Sequence, residues 1–157
     1  MKINKDLVIS DTNKTLEDVA ELTNRNTTDV VRAYCYSESI PKDTYKAIEW
    51  YAGANASTDG IYKSSSTQWT IKDSNIKKVN IAYDFLFGDW STRTIYINVM
   101  KNGSSYHRTY TRDQAGVNGM TIMSVTEGDV ISLQLYSSVA GTLNGLAEYN
   151  YIMISAA

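Results

Sequence analysis

From residue 30 onward, apolar side chains recur at every second position, the period of a strand that buries one face. The run from Val79 to Phe87 is the clearest, with Val79, Ile81, Tyr83, Phe85 and Phe87 on one side. Thr94 to Lys101 repeats it with Ile95, Ile97 and Val99, and Asn102-Gly103 follows at once. Both central residues of a type I′ turn need positive φ, so this pair predicts a tight hairpin with a return strand over Tyr106 to Arg112. Met120 to Val125 and Val130 to Tyr136 predict two further strands, divided by Glu127-Gly128-Asp129, with Ile131, Leu133 and Leu135 inward in the second. In the closing run, Ile152 and Ile154 occupy one face while Tyr149, Tyr151 and Met153 occupy the other. Neither face suits water, so this strand is expected to be covered on both sides. Val30 to Tyr36, Tyr45 to Tyr51 and Gln68 to Ile71 carry weaker strand patterns, and Asp43 to Trp50 alternatively fits a short helix. Strands roughly ten residues apart, with Gly, Asn and Ser between them, predict an all-β antiparallel sandwich or barrel.

Residues 1–29 follow a different pattern. Lys5 to Ser10 fits a short extended arm, and Thr15 with Asp18 resembles a capping box that opens a helix bearing Leu16, Val19 and Leu22 on one face. A helix of two turns or so is too short to stand alone in water and needs a partner. Asn24 to Asp29 is a polar linker. The expected organisation is therefore an N-terminal attachment segment over residues 1–29 and a β-domain over residues 30–157.

Composition narrows the function. The 157 residues fit one domain with a short appendage, and a hydrophobic fraction of 43% is that of a folded chain. No apolar run is long enough to cross a bilayer, and the first residues lack the apolar core and cleavage site of a secretory signal. A net charge of −2, spread along the length, provides no basic stripe for nucleic acid. Twelve Tyr and three Trp against two Phe favour rings with a polar handle, which suit wet interfaces and binding surfaces.

Catalytic and metal chemistry find little support. The chain has one Cys and one His, too few for a metal cluster of those residues. Cys35, between Tyr34 and Tyr36, reads as a half-buried strand thiol, and His107 reads as an exposed strand imidazole. Asp11-Thr12-Asn13 and Asp73-Ser74-Asn75 read as Asx turns in preference to oxygen ligands. Asp84, Asp89, Asp113, Glu127 and Glu148 are the carboxylates from which a glycosidase pair would have to come. No cofactor is expected and no metal.

Four segments in order resemble the trimeric jelly rolls of the complement and tumour-necrosis-factor family. They are the aromatic strand Val79 to Phe87, the hairpin Val99-Met100-Lys101-Asn102-Gly103, the turn Glu127-Gly128-Asp129-Val130 and the closing strand Ala147 to Ile154. The run Asp6 to Leu16 resembles N-terminal attachment segments of virion proteins from phages of Gram-positive bacteria. Together the resemblances imply a jelly-roll head on a short anchor: a non-enzymatic phage fibre or receptor-binding protein located in the virion. It would form a homotrimer, join other virion proteins through residues 1–29 and adhere to a host cell-surface saccharide, without inserting into the membrane.

For saccharide binding the sequence offers Trp90, Asp89 and Asn102, a flat ring with an acid and an amide in predicted loops. For the subunit contact it offers Tyr106, Tyr110 and Arg112 on one strand, and Tyr149, Tyr151 and Met153 on the last. Trp50 and Trp69 read as core or interface. A stand-alone carbohydrate-binding module is the alternative, and a small glycosidase ranks last.

Overall fold

A computed structural model describes residues 29–157. The arm and helix expected in the first 28 residues lie outside the described residues. Twelve strands follow: β1 (Val30–Tyr34), β2 (Ser39–Ile40), β3 (Lys46–Ala47), β4 (Ile61–Lys63), β5 (Gln68–Ile71), β6 (Lys78–Leu86), β7 (Arg93–Lys101), β8 (Ser104–Gln114), β9 (Gly116–Ser124), β10 (Val130–Ser137), β11 (Gly141–Thr142) and β12 (Tyr151–Ala156). A single 3₁₀ turn, Ala147–Tyr149, precedes β12.

The strands form two facing antiparallel sheets. One has the order β1-β12-β6-β9; the other runs β4-β5-β10-β7-β8, with β3 also pairing to β10. β2 and β11 make a small separate pair. Apart from the β7–β8 hairpin, successive long strands switch sheets, which is the winding of a jelly roll. The expected all-β antiparallel sandwich is what forms, with boundaries within a few residues of the alternating runs. Asp43 to Trp50 does not make a helix: Lys46 and Ala47 pair with β10, and the Ile48 amide donates to the Leu133 carbonyl at 3.1 Å.

Alternation explains the core. Val79, Ile81, Tyr83 and Phe85 from β6 and Ile152 and Ile154 from β12 meet Ile95, Ile97 and Val99 from β7 and Ile131, Leu133 and Leu135 from β10, all of them buried. Trp50 lies 5.9 Å from Trp69 and 5.8 Å from Phe85, ring centre to ring centre, so both of these tryptophans belong to the core. Burying each such side chain stabilises the fold by about 2–3 kcal/mol before entropy is counted. Tyr83 spans the layers, its hydroxyl 2.6 Å from Thr109 on β8. It stands opposite Gly119, where an added Cβ would fall 2.6 Å from the Tyr83 hydroxyl. A side chain there would displace the link between the sheets.

Side-chain clamps close the two ends. At one end Asn102 and Gly103 take φ of 51° and 79°, as the two-residue hairpin requires. Asn102 Nδ2 donates to Asp129 at 2.7 Å, and its Oδ1 accepts the Val130 amide at 2.8 Å. Burial would raise the Asp129 carboxyl, but donation from Asn102, Lys101 and the Thr126 amide holds it down to about 2. At the opposite end the fully buried Arg93 guanidinium pairs with Asp89, donates to the Ser91 and Val139 carbonyls at 3.0 and 3.2 Å, and lies 3.9 Å over the Phe87 ring.

Candidate functional site

The two outward faces differ in chemistry. On the four-stranded sheet, strand register aligns Arg32, Met153, Ala82 and Met120 in one row, and Val30, Ser155, Asn80 and Ile122 in the next. Met120 is 70% exposed, Ile122 58%, Val30 43% and Met153 36%. Scattered exposed aliphatics are ordinary on a protein surface; here Met153, Ala82 and Met120 adjoin in the first row, while Ser155 and Asn80 separate Val30 from Ile122 in the second. Tyr151 shares this face, and the Arg32 guanidinium sits 4.8 Å from its ring.

The six-stranded sheet instead presents tyrosines in a chain. Tyr110, Tyr96 and Tyr136 align across β8, β7 and β10, with Tyr110 stacked on Tyr96 at 5.5 Å and Tyr136 edge-on at 5.4 Å. Tyr45 continues the chain 5.3 Å from Tyr136. Arg108 lies 5.8 Å over both Tyr45 and Tyr96 and donates through Nε to the buried Asn98 amide oxygen at 2.7 Å. Tyr136 donates to Asp43 at 2.8 Å, and that carboxylate pushes its hydroxyl pKa up. Of these rings Tyr110 and Tyr45 are exposed.

The residues selected from sequence are distributed among several places. Trp90 is 63% exposed at the Arg93 end, where Asp89 is engaged by that arginine. Asn102 is at the other end of β7, a nine-residue strand about 26–30 Å long, and is held in its turn. The three are therefore not brought together. Tyr151 and Met153 lie on the apolar face, with Tyr149 in the 3₁₀ turn beside it. Tyr110 faces outward on the six-stranded sheet and Arg112 is exposed where the register shifts between Arg93 and Ile95, but Tyr106 does not share the row of Tyr110. Register shifts between Val99 and Met100, leaving Tyr106 in a bulge, and its hydroxyl reaches the Ile122 carbonyl of β9 at 3.4 Å.

The β8–β9 edge thus carries Tyr106, Met120 and Ile122 continuously with the apolar face. Sequence reasoning missed Val30, Met120 and Ile122. The available signal was that β9 has apolar residues in both parities, Val117 and Met123 inward and Met120 and Ile122 outward.

Comparison with solved structures places this arrangement. A crystal structure of murine APRIL at pH 8.0 superposes with a TM-score of 0.61 at 12% identity, covering 82% of this chain and 98% of that one. Crystal structures of murine APRIL at pH 8.5 and pH 5.0 give TM-scores of 0.60 at 11% and 12% identity, with the same coverage. The fold is a tumour-necrosis-factor-like jelly roll. No protein-family model matches the sequence, and no curated protein matches it.

In this jelly roll Cys35 and His107 each lie against a polar neighbour. Cys35 lies just past β1 and is fully buried, not half-buried, donating to Glu38 Oε2 at 3.1 Å. Burial pushes its thiol pKa well up, and the Glu38 carboxylate adds to the shift, so it carries no thiolate at neutral pH. His107, expected to be exposed, is half-buried on the inward side of β8, 3.4 Å from Thr109. A cleft of about 350 Å³ opens near Cys35 at the β1 edge, lined by Tyr36, Glu38, Glu49, Trp50, Tyr51 and Ser66.

Proposed function

We propose that this chain is a non-enzymatic virion adhesion protein, a fibre or receptor-binding head, that works as a homotrimer. Residues 1–29 attach it to other virion proteins, and the jelly roll meets a saccharide on the host surface. The observation that carries the reading is the exposed apolar face formed by Val30, Met120, Ile122 and Met153. Its intended occupant is a second copy of the chain.

Two features support that choice. The apolar rows continue around β9 onto the edge bearing Tyr106, so one molecule offers both a flat face and a narrow edge. An edge docked on the next copy's face is a head-to-tail contact, which forms a closed ring when the rotation permits. The resemblance to trimeric jelly rolls supports three as the number of copies. The tyrosine face of the six-stranded sheet stays outside, where its partly hydrated rings are suited to remain.

Light scattering on the full chain tests this directly. The expected molar mass is three times that of the 17.5 kDa chain. A stable monomer at micromolar concentration rejects the assembly and favours the stand-alone carbohydrate-binding module.

A further inference from the structure

Arg108 is exposed, yet its head group is held in one place. Its Nε donates to the Asn98 amide oxygen at 2.7 Å, and Asn98 is only 4% exposed, so the acceptor itself is fixed. The rings of Tyr45 and Tyr96 each lie 5.8 Å from the guanidinium carbon. A free surface arginine gives up much rotamer freedom when it grips a ligand, whereas one already fixed gives up little.

The charge of this group is not spent within the described residues. The ion pairs there join Lys42 to Asp43, Lys46 to Glu38, Arg93 to Asp89 and Lys101 to Asp129, and Arg108 takes part in none of them. The carboxylate that is joined to the tyrosine row, Asp43, accepts from the Tyr136 hydroxyl at 2.8 Å and pairs with Lys42 at 3.6 Å. With Nε used by Asn98, the two Nη nitrogens of Arg108 keep their donors, and they lie in one plane in a fork that matches the two oxygens of a carboxylate.

The surroundings add what a sugar ring requires. Strand register sets Arg108, Asn98, Gln134 and Ala47 in one row, beside the row of Tyr110, Tyr96 and Tyr136 that Tyr45 continues. Gln134 is half-buried and its amide both donates and accepts; Tyr45 is 39% exposed and offers ring surface. Arg112, exposed on the same strand as Arg108, is a second cation, on a chain whose net charge is −2. The charge of this face therefore complements an anion, and its rings and amide complement a pyranose. The guanidinium reaches inward from the β8 edge, over rings of β7 and of the segment before β3, so it stays open when the outward face of the four-stranded sheet is covered.

We propose that this part of the tyrosine face is a subsite for an acidic sugar, a pyranose bearing a carboxylate, with the Arg108 fork on the carboxylate, Gln134 bonding to a ring hydroxyl and Tyr45 packing against the ring. The inference rests on the reading of the chain as a saccharide-binding adhesion protein and names the place and charge class of the sugar.

The test titrates the ¹⁵N-labelled full chain with glucuronic acid, and with methyl glucoside, acetate and inorganic phosphate for comparison. Glucuronic acid is expected to shift the Arg108 Nε–H and the Gln134 side-chain amide resonances saturably, in the millimolar range usual for so small a ligand. Methyl glucoside, which lacks the charge, and acetate, which lacks the ring, are each expected to bind at least about tenfold more weakly. Arg108→Gln should abolish the response, read at Gln134. Arg108→Lys, which keeps the charge and loses the fork, should weaken it about tenfold. Tyr45→Ala should weaken it about threefold. All three positions are exposed or at the surface, and an otherwise unchanged spectrum shows that each variant is folded.

No response to glucuronic acid, an equal response to acetate or phosphate, an equal response to methyl glucoside, or undiminished binding by Arg108→Gln overturns the subsite. Its failure is distinguishable from failure of the broader reading. Sugar-induced shifts confined to residues around Trp90 reject this subsite and keep the saccharide reading. Light scattering on the same samples separates assembly from binding: a trimer without sugar response rejects the subsite and keeps the assembly, whereas a monomer that responds at Arg108 supports the subsite and rejects the assembly.

Discussion

The two sheets of the sandwich solve the problem of an outward face in opposite ways. The six-stranded sheet covers itself with tyrosines whose rings touch one another, Tyr136 donating to Asp43. The four-stranded sheet leaves Met120, Ile122, Val30 and Met153 in the open, interspersed with Arg32, Asn80 and Ser155. A tyrosine row lowers its own exposure cost, and a methionine-isoleucine row does not. What separates the two outward faces is thus side-chain chemistry.

The largest expected effect comes from charging the outward face of the four-stranded sheet. Met120→Lys combined with Ile122→Lys should reduce the molar mass threefold in light scattering, while circular dichroism keeps its β-sheet form. An unchanged mass would remove this face from the assembly.

Acid comes next, because it probes folding without touching either face. Asp129 is held near 2 in the fold against an ordinary value of 3.8. Its stabilising contribution is therefore full above the ordinary value and is lost as pH falls through about 2. After discounting for solvent screening this amounts to about 1–2 kcal/mol. Asp129→Asn should lower stability at neutral pH and flatten the acid limb between roughly pH 4 and 2 in urea melts. A limb as steep as that of the parent protein would assign acid sensitivity elsewhere.

The tyrosine face should respond more weakly. Tyr110→Ala removes one ring of the stack and should cost about 1 kcal/mol of stability with no change in molar mass. A fall in mass would make the tyrosine face part of the interface. Smallest of all, Asp43→Asn should bring the Tyr136 hydroxyl back toward its ordinary ionisation range, read by ultraviolet titration. It should leave both mass and melting temperature in place.

Most of the fold was legible because strand alternation is a local signal. β6 reads as a half-buried strand from five residues, and Asn102-Gly103 fixes its hairpin from two. β4, β2 and β11 were not legible, since two or three residues show no period. The site was legible in part. Tyr151 and Met153 were chosen from the double apolar character of β12, but the bulge that turns Tyr106 away from Tyr110 leaves no trace in a count of every second residue. The tyrosine chain joins β10, β7, β8 and the segment at Tyr45, which become neighbours only through the winding of the sheets. Trp50 shows the same limit: its burial follows from its apolar surroundings, whereas its unpaired indole depends on which carbonyls happen to lie nearby.

The pairing of β1 with β12 also sets how the domain would bear load. Asp29 enters the domain fastened by its carbonyl to the Ala156 amide and by its carboxylate to Thr58, and five antiparallel pairs follow immediately. Tension arriving through residue 29 along the axis of β1 meets those pairs together, in shear, while tension across the axis opens them one by one. A domain tethered at this point would therefore resist being dragged along its own strand far better than being peeled sideways. Single-molecule pulling from residue 29 against two different second handles would measure that anisotropy, and equal rupture forces in both directions would count against it.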